Sequence, residues 1–180
     1  MTVHVPLPAD SELPDSVRER LATLPPLNVF RMMANAPASF GPLIDFAGSV
    51  LFQSEFDARE REIAILRVAR TTRSEYEWKQ HVVVATNLGV TNEEIAAIAE
   101  PQPGKALDET GKLLCRVADE ISLDVRLSDE ALAAVLARYG RRQTTELILC
   151  VSYFNMVSRF LESTRTQFES TNVLAESLNA

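Results

Sequence analysis

Cysteine and histidine, the side chains on which much of nucleophilic catalysis and metal binding relies, are scarce here: two of each in 180 residues, beside a single tryptophan. Cys115 and Cys150 stand far apart in apolar, helix-like contexts, which reads as two buried free thiols and excludes a closely spaced disulfide or metal pair. No apolar run approaches the roughly 18 residues that a membrane span requires. Basic residues are outnumbered, 18 Lys and Arg against 25 Asp and Glu, and a net charge of −7 argues against a nucleic-acid partner. The first twenty residues, with Pro6, Pro8, Asp10 and Glu12, lack the basic start and apolar stretch of a signal peptide. A cytoplasmic location is the expectation. Alternating β-branched runs bounded by turns are also missing, so no sheet is expected. No repeat and no low-complexity tract interrupts the chain.

What is present is an apolar fraction of 46%, enough to exclude general disorder and to build one domain with a real core. Residues 1–14 are proline-rich and read as an extended arm, leaving 15–180 as a single helical domain. Helices are expected over about 15–24, 27–35, 37–52, 57–71, 74–89, 91–100, 107–123, 128–139 and 143–168. Their ends carry physical signals. Pro25-Pro26 stops the first helix, because proline disfavours helix in the residue before it. Asp57 can cap the fourth, Gly89 can close the fifth in a left-handed conformation, and Thr91-Asn92-Glu93-Glu94 is a capping box. Pro101-Gln102-Pro103-Gly104 is the clearest internal break.

The segment Ser74-Glu-Tyr-Glu-Trp-Lys-Gln-His81 holds one of the two histidines, the tryptophan, and a carboxylate four residues before the histidine. On a helix Glu77 and His81 share one face. An imidazole titrates near neutral pH, and a neighbouring carboxylate holds its ring and favours its cation, so the pair is a candidate proton-transfer unit. Ser74-x-x-Glu77 also reads as a capping box in which both side chains serve the helix end alone. One helix earlier, Glu62 shares a stripe with Ile65, Leu66 and Ala69. A carboxylate drawn into apolar surroundings is costly unless paired, and its pKa moves. Glu62, Glu77 and His81 are therefore the candidate catalytic residues.

Arg59-Glu-Arg-Glu-Ile-Ala-Ile-Leu-Arg-Val-Ala-Arg70, the 74–81 segment and Asn87-Leu-Gly-Val-Thr-Asn-Glu-Glu-Ile95 together resemble the carboxymuconolactone decarboxylase-like family, which shares its fold with the alkylhydroperoxidase D-type proteins. Looser similarity extends from Leu24 to Val157. The resemblance implies an all-α, alkylhydroperoxidase D-like fold and assembly into trimers or hexamers. In the peroxidase branch the motif helix carries Cys-x-x-Cys-x-x-x-His, with a glutamate on the preceding helix. Laid over this chain, those positions are Ser74, Glu77, His81 and Glu62. Thiol-dependent peroxide reduction needs a thiolate to attack and a second thiol to resolve. Ser74 and Glu77 do neither.

The remaining carboxylate–carboxylate–imidazole set suits a cofactor-independent decarboxylase or isomerase acting on a small cyclic carboxylate or lactone, with the substrate's own carbonyl as electron sink. Two other readings stand beside it. Glu62, Glu77 and His81 offer ligand types that suit divalent metals, although no second histidine lies nearby. A ligand-binding oligomer without turnover is the other, and the family label keeps a peroxidase-like oxidoreductase in view. Arg59, Arg61, Arg67, Arg70 and Arg73 precede the motif. Arg59 and Arg67 are the expected partners of a substrate carboxylate, which a guanidinium matches bidentately. Tyr76 and Trp78 are the expected aromatic lining of the substrate pocket.

Overall fold

The computed structural model describes residues 3–170, and every regular element among them is a helix. In chain order they are α1 (Asp15–Leu21), α2 (Asn28–Met33), α3 (Pro37–Phe52), α4 (Ala58–Thr72), α5 (Glu75–Asn87), α6 (Asn92–Ala99), α7 (Glu109–Asp124) and α8 (Asp129–Thr164). A short 3₁₀ turn, Asp10–Glu12, precedes them. Residues 3–9 lie against the end of α8: Val5 N–H donates to the Thr164 carbonyl at 3.0 Å, and Arg165 Nη1 donates to the Val3 carbonyl at 2.8 Å.

The architecture is built around α4. Its nine consecutive residues 61–69 are all buried, because α5, α6, α7 and α8 pack around it. A charge on this buried stretch is costly unless it is paired. Arg67 meets this demand with a fork of two 2.7 Å hydrogen bonds from Nε and Nη2 to the Asp119 carboxylate on α7. Its nitrogens also donate to the carbonyls of Ile98, Glu100 and Pro101, which closes the C-terminal end of α6. The expected caps of α4 and α6 form: Asp57 accepts from Glu60 N–H, and Thr91 and Glu94 complete a reciprocal capping box. Gly89, at φ +84°, follows α5 as its sequence position suggested.

Three expectations need correction. Ser74 starts α5, but it makes no side-chain cap, and Glu77 turns inward, so the second capping box does not exist. The two helices expected over 128–139 and 143–168 are nearly continuous, broken only at Gly140. The last of them stops at Thr164. The Thr164 hydroxyl bonds back to the carbonyls of Phe160 and Leu161, Arg165 turns left-handed at φ 56°, and the chain folds onto α5. There Phe168 stacks on Tyr76, with ring centroids 5.6 Å apart.

Gly140 adopts φ 67° and ψ 178°, a region that only glycine enters freely. Gly140→Ala is expected to destabilise the protein by about 1–3 kcal/mol, although no atom crowds the added methyl group. Thermal melting of the variant measures this.

Candidate active site

Two helices joined by Arg73 and Ser74 bring the candidate residues together. Arg73 is left-handed at φ 59°, and Ser74 N–H returns to the Ala69 carbonyl at 2.9 Å, so α5 turns back sharply on α4. Glu62, 1% exposed on α4, then reaches His81 on α5, with Oε2 2.7 Å from the ring Nδ1. Glu77 lies one turn before His81, 3% exposed, and its Oε2 accepts a 3.2 Å hydrogen bond from the Ser158 hydroxyl on α8. The edge of Phe154, also on α8, closes the other side of the imidazole at 4.9 Å between ring centroids. Cys150, Phe154 and Ser158 form one stripe along α8 at four-residue spacing, and that stripe is the back wall of the site.

The electrostatics follow from burial. Glu77 has no cation bonded to it, and desolvation lifts its pKa from 4.5 to about 7, with the charge of Glu62 adding to the lift. His81 and the Ser158 hydroxyl resist that rise without cancelling it. For His81 desolvation is the largest influence and opposes the cation. The charge and hydrogen bond of Glu62, helped by Glu77, outweigh it and leave the imidazole above its ordinary value. With Nδ1 committed to Glu62, Nε2 is the nitrogen free to exchange a proton. The His81 side chain retains 15% exposure, so it forms the accessible end of an otherwise buried group.

Other expected site residues go elsewhere. Arg59 donates to both oxygens of Glu94 at 2.6 Å and to the Gly89 carbonyl, bracing the α5–α6 connection. Arg67 is fully engaged at the α4–α7 contact described above. Neither has a guanidinium to spare for a substrate. Tyr76 is buried beneath Phe168, and its hydroxyl donates to Glu169 while accepting from Val29 N–H at 3.1 Å. Glu169 also accepts from Gln80 Nε2 at 2.8 Å, so Tyr76 anchors the tail of the chain and does not line the site. Trp78 packs on the core and borders a separate cleft of about 370 Å³ with Ser74, Arg73, Lys79 and Phe168. Among the described residues, no group of three or more His, Cys, Asp or Glu side chains is arranged to hold a metal ion.

Two residues near the site carried no such signal in the sequence. Cys150 feels the charges of Glu62, Glu77 and Arg61, although it is far from the motif in sequence. Burial pushes its thiol well above the ordinary range, and burial also pushes the Cys115 thiol up to about 12. Arg61, adjacent to Glu62 on the buried helix, acts electrostatically on both His81 and Cys150. Its neighbours in the arginine-rich stretch masked it.

The raised Glu77 pKa has a consequence for stability. Between pH 4.5 and about 7 the folded state keeps a proton that the unfolded state has released, so stability falls as pH rises through that window. His81, raised as well, adds a loss of the same sign as pH passes its folded value. The carboxylates lowered by their partners, Glu94, Glu120, Glu130 and Glu146, act in the opposite sense and only below about pH 4.5. The Glu77 contribution is about 3 kcal/mol at most, at roughly 1.4 kcal/mol per pKa unit. Melting curves from pH 5 to 8 should show this decline in the native protein. Glu77→Gln, which still accepts from Ser158, should flatten it; an unchanged slope would overturn the assignment.

The sequence model of the carboxymuconolactone decarboxylase family matches residues 37–102, the stretch that contains Glu62, Glu77 and His81. No curated protein matches the sequence. Among solved structures, the alkylhydroperoxidase AhpD core of an uncharacterized peroxidase-related protein from Ralstonia eutropha JMP134 superposes with a TM-score of 0.80 at 13% identity. The alignment covers 93% of this chain and 92% of that one. An uncharacterized peroxidase-related protein from Silicibacter sp. TM1040 gives 0.77 at 15% identity, over 93% and 91% of the two chains. A protein of unknown function from Agrobacterium tumefaciens gives 0.66 at 15% identity, over 75% of this chain and 93% of that one. At such identities the likeness establishes the fold. The chain thus has the alkylhydroperoxidase D-like helical fold, and its central helices match the carboxymuconolactone decarboxylase family model.

Proposed function

We propose that the protein is a cofactor-independent acid–base enzyme that decarboxylates or isomerises a small cyclic carboxylate or lactone. The observation that carries this reading is the 2.7 Å Glu62–His81 contact beside a buried carboxyl that titrates at about 7. A carboxyl lifted to about 7 beside an imidazole raised above its ordinary value, its ring held by Glu62, is suited to moving protons at physiological pH. In the proposed step the substrate's C–CO₂⁻ bond breaks, and its electron pair passes into a dienolate conjugated with the substrate carbonyl. Carbon dioxide leaves. His81 Nε2–H then protonates the dienolate carbon, and solvent restores the proton to the imidazole. Glu62 accepts Nδ1–H throughout, which orients the ring and supports its cation. Glu77, close to half-protonated at neutral pH, exchanges a second proton or donates to a polar substrate atom.

The same residues weigh against a thiol peroxidase. Ser74 and Glu77 occupy the positions where that branch carries its two cysteines, and both cysteines of this chain are held as neutral thiols by burial. Attack on an O–O bond needs the thiolate. Assembly belongs to this proposal too. Phe46 on α3 and Leu149 and Met156 on α8 are each at least 39% exposed, and a second copy would cover them in a homo-oligomer, a trimer or hexamer by family resemblance.

His81→Ala should lower turnover of a decarboxylation substrate by about 10²–10⁴-fold while assembly persists. Screening small unsaturated cyclic carboxylates and lactones for carbon dioxide release supplies the assay. Retained turnover in that variant would remove the acid–base reading. Replacing Cys115 and Cys150 by serine should leave turnover essentially intact, and peroxide consumption with a dithiol reductant should stay at background. Light scattering should report a mass several times the 20.0 kDa of one chain; a monomer at micromolar concentration rejects the assembly.

A further inference from the structure

Arg61 is 7% exposed, and its Nε has no hydrogen-bond partner. Among the described residues no carboxylate lies within ion-pair distance of it, although the other buried arginine, Arg67, is saturated. The carboxylates nearby are already engaged. Glu62 binds His81, Glu77 accepts from Ser158, and Glu60 faces Arg138. Glu146 on α8 is taken by Ser54, by the backbone N–H groups of Glu55 and Phe56, and by Arg142. The α8 side chains that wall the site are neutral: Cys150, Phe154 and Ser158. A guanidinium cannot shed its proton near neutral pH, so a buried one without an anion is expensive. Its charge is felt at His81, which it repels, and at Cys150, so it sits on the same α4–α5–α8 junction as the proposed proton-transfer group.

We propose that Arg61 is the anion anchor of this site and binds a compact organic carboxylate. The inference rests on the acid–base reading for its location, but it names a different property, charge-selective binding. A monoanion fits better than a phosphate dianion, because one guanidinium faces the ligand while Glu62, and Glu77 above neutrality, repel additional negative charge. The group held by Arg61 is one that remains anionic through the reaction. Tight binding of the departing carboxylate would stabilise the ground state, whereas an anchor on a second carboxylate or on the dienolate oxygen keeps its strength in the transition state.

The test measures binding of formate, acetate and benzoate to the full chain, by thermal shift and by the His81 ring signals in NMR, with benzamide and inorganic phosphate as controls. Saturable binding of at least one carboxylate, with neither control binding comparably, is expected. Arg61→Gln should weaken it tenfold or more, and Arg61→Lys less. Arg61→Gln should also raise the His81 pKa, because it removes a repelling cation, an effect that a packing role would not produce. Arg61→Met, which removes the unpaired buried charge, should melt no lower than the native protein. His81→Gln should retain carboxylate binding within about threefold even if turnover proves unrelated to His81, which separates this inference from the reaction assigned above. Carboxylate binding that is equal in Arg61→Gln, absent from the native protein, or matched by benzamide or phosphate would overturn the proposal. So would a clear loss of melting temperature in Arg61→Met. If the Arg61 variants fail to fold, the comparison of carboxylates with benzamide and phosphate on the native protein still decides it.

Discussion

The burial of nine successive residues of α4 is the constraint on which the rest of the molecule depends. Nine successive buried residues include Arg61, Glu62 and Arg67, and charges in a low-dielectric interior are costly when they lack a partner. Each solution shapes part of the fold. Arg67 and Asp119 join α4 to α7 and draw in the end of α6. Glu62 and His81 join α4 to α5. The first is closed by five hydrogen bonds, counting the two to Asp119 and those to Ile98, Glu100 and Pro101, and has the character of a structural brace. The second ends in an imidazole that still reaches solvent, which makes it available for chemistry.

Glu77 is the residue on which the proposed chemistry turns. The resemblance places the second cysteine of the peroxidase branch at this position on the first turn of α5. Here the same surroundings contain a carboxyl whose pKa rises because desolvation exceeds the help from His81 and Ser158. In the proposed reading a carboxyl able to carry a proton stands where the peroxidase branch has a cysteine. Fold likeness alone therefore does not fix the activity.

The tail adds a second layer around α5. Phe168 covers Tyr76, Lys79 lies over the Phe168 ring, and Glu169 collects donors from α2 and α5. These contacts tie the tail to the helix that carries His81. A rigid motif helix keeps a 2.7 Å contact in register, and such positioning is what proton transfer requires.

The helical class, most helix ends, the α4–α5 turn and the Glu62, Glu77 and His81 set were legible in the sequence, because caps, periodicity and i,i+4 spacing are local properties of the chain. The interruption at Gly140 was partly legible, since glycine marks a break without stating whether the helix resumes. The partners of the arginines were not legible. Arg59, Arg61 and Arg67 lie within nine residues of one another on a single helix, and nothing local distinguishes a brace from an unpaired cation. Their roles depend on Glu94, Asp119 and the neutral stripe of α8, all distant in sequence, and the same is true of the Ser158 bond that turns Glu77 away from capping. The sequence by itself determined which groups could carry charge and which helix presents them; only the tertiary structure decided which of those charges were neutralised, because pairing and desolvation are set by neighbours that the chain brings together only on folding.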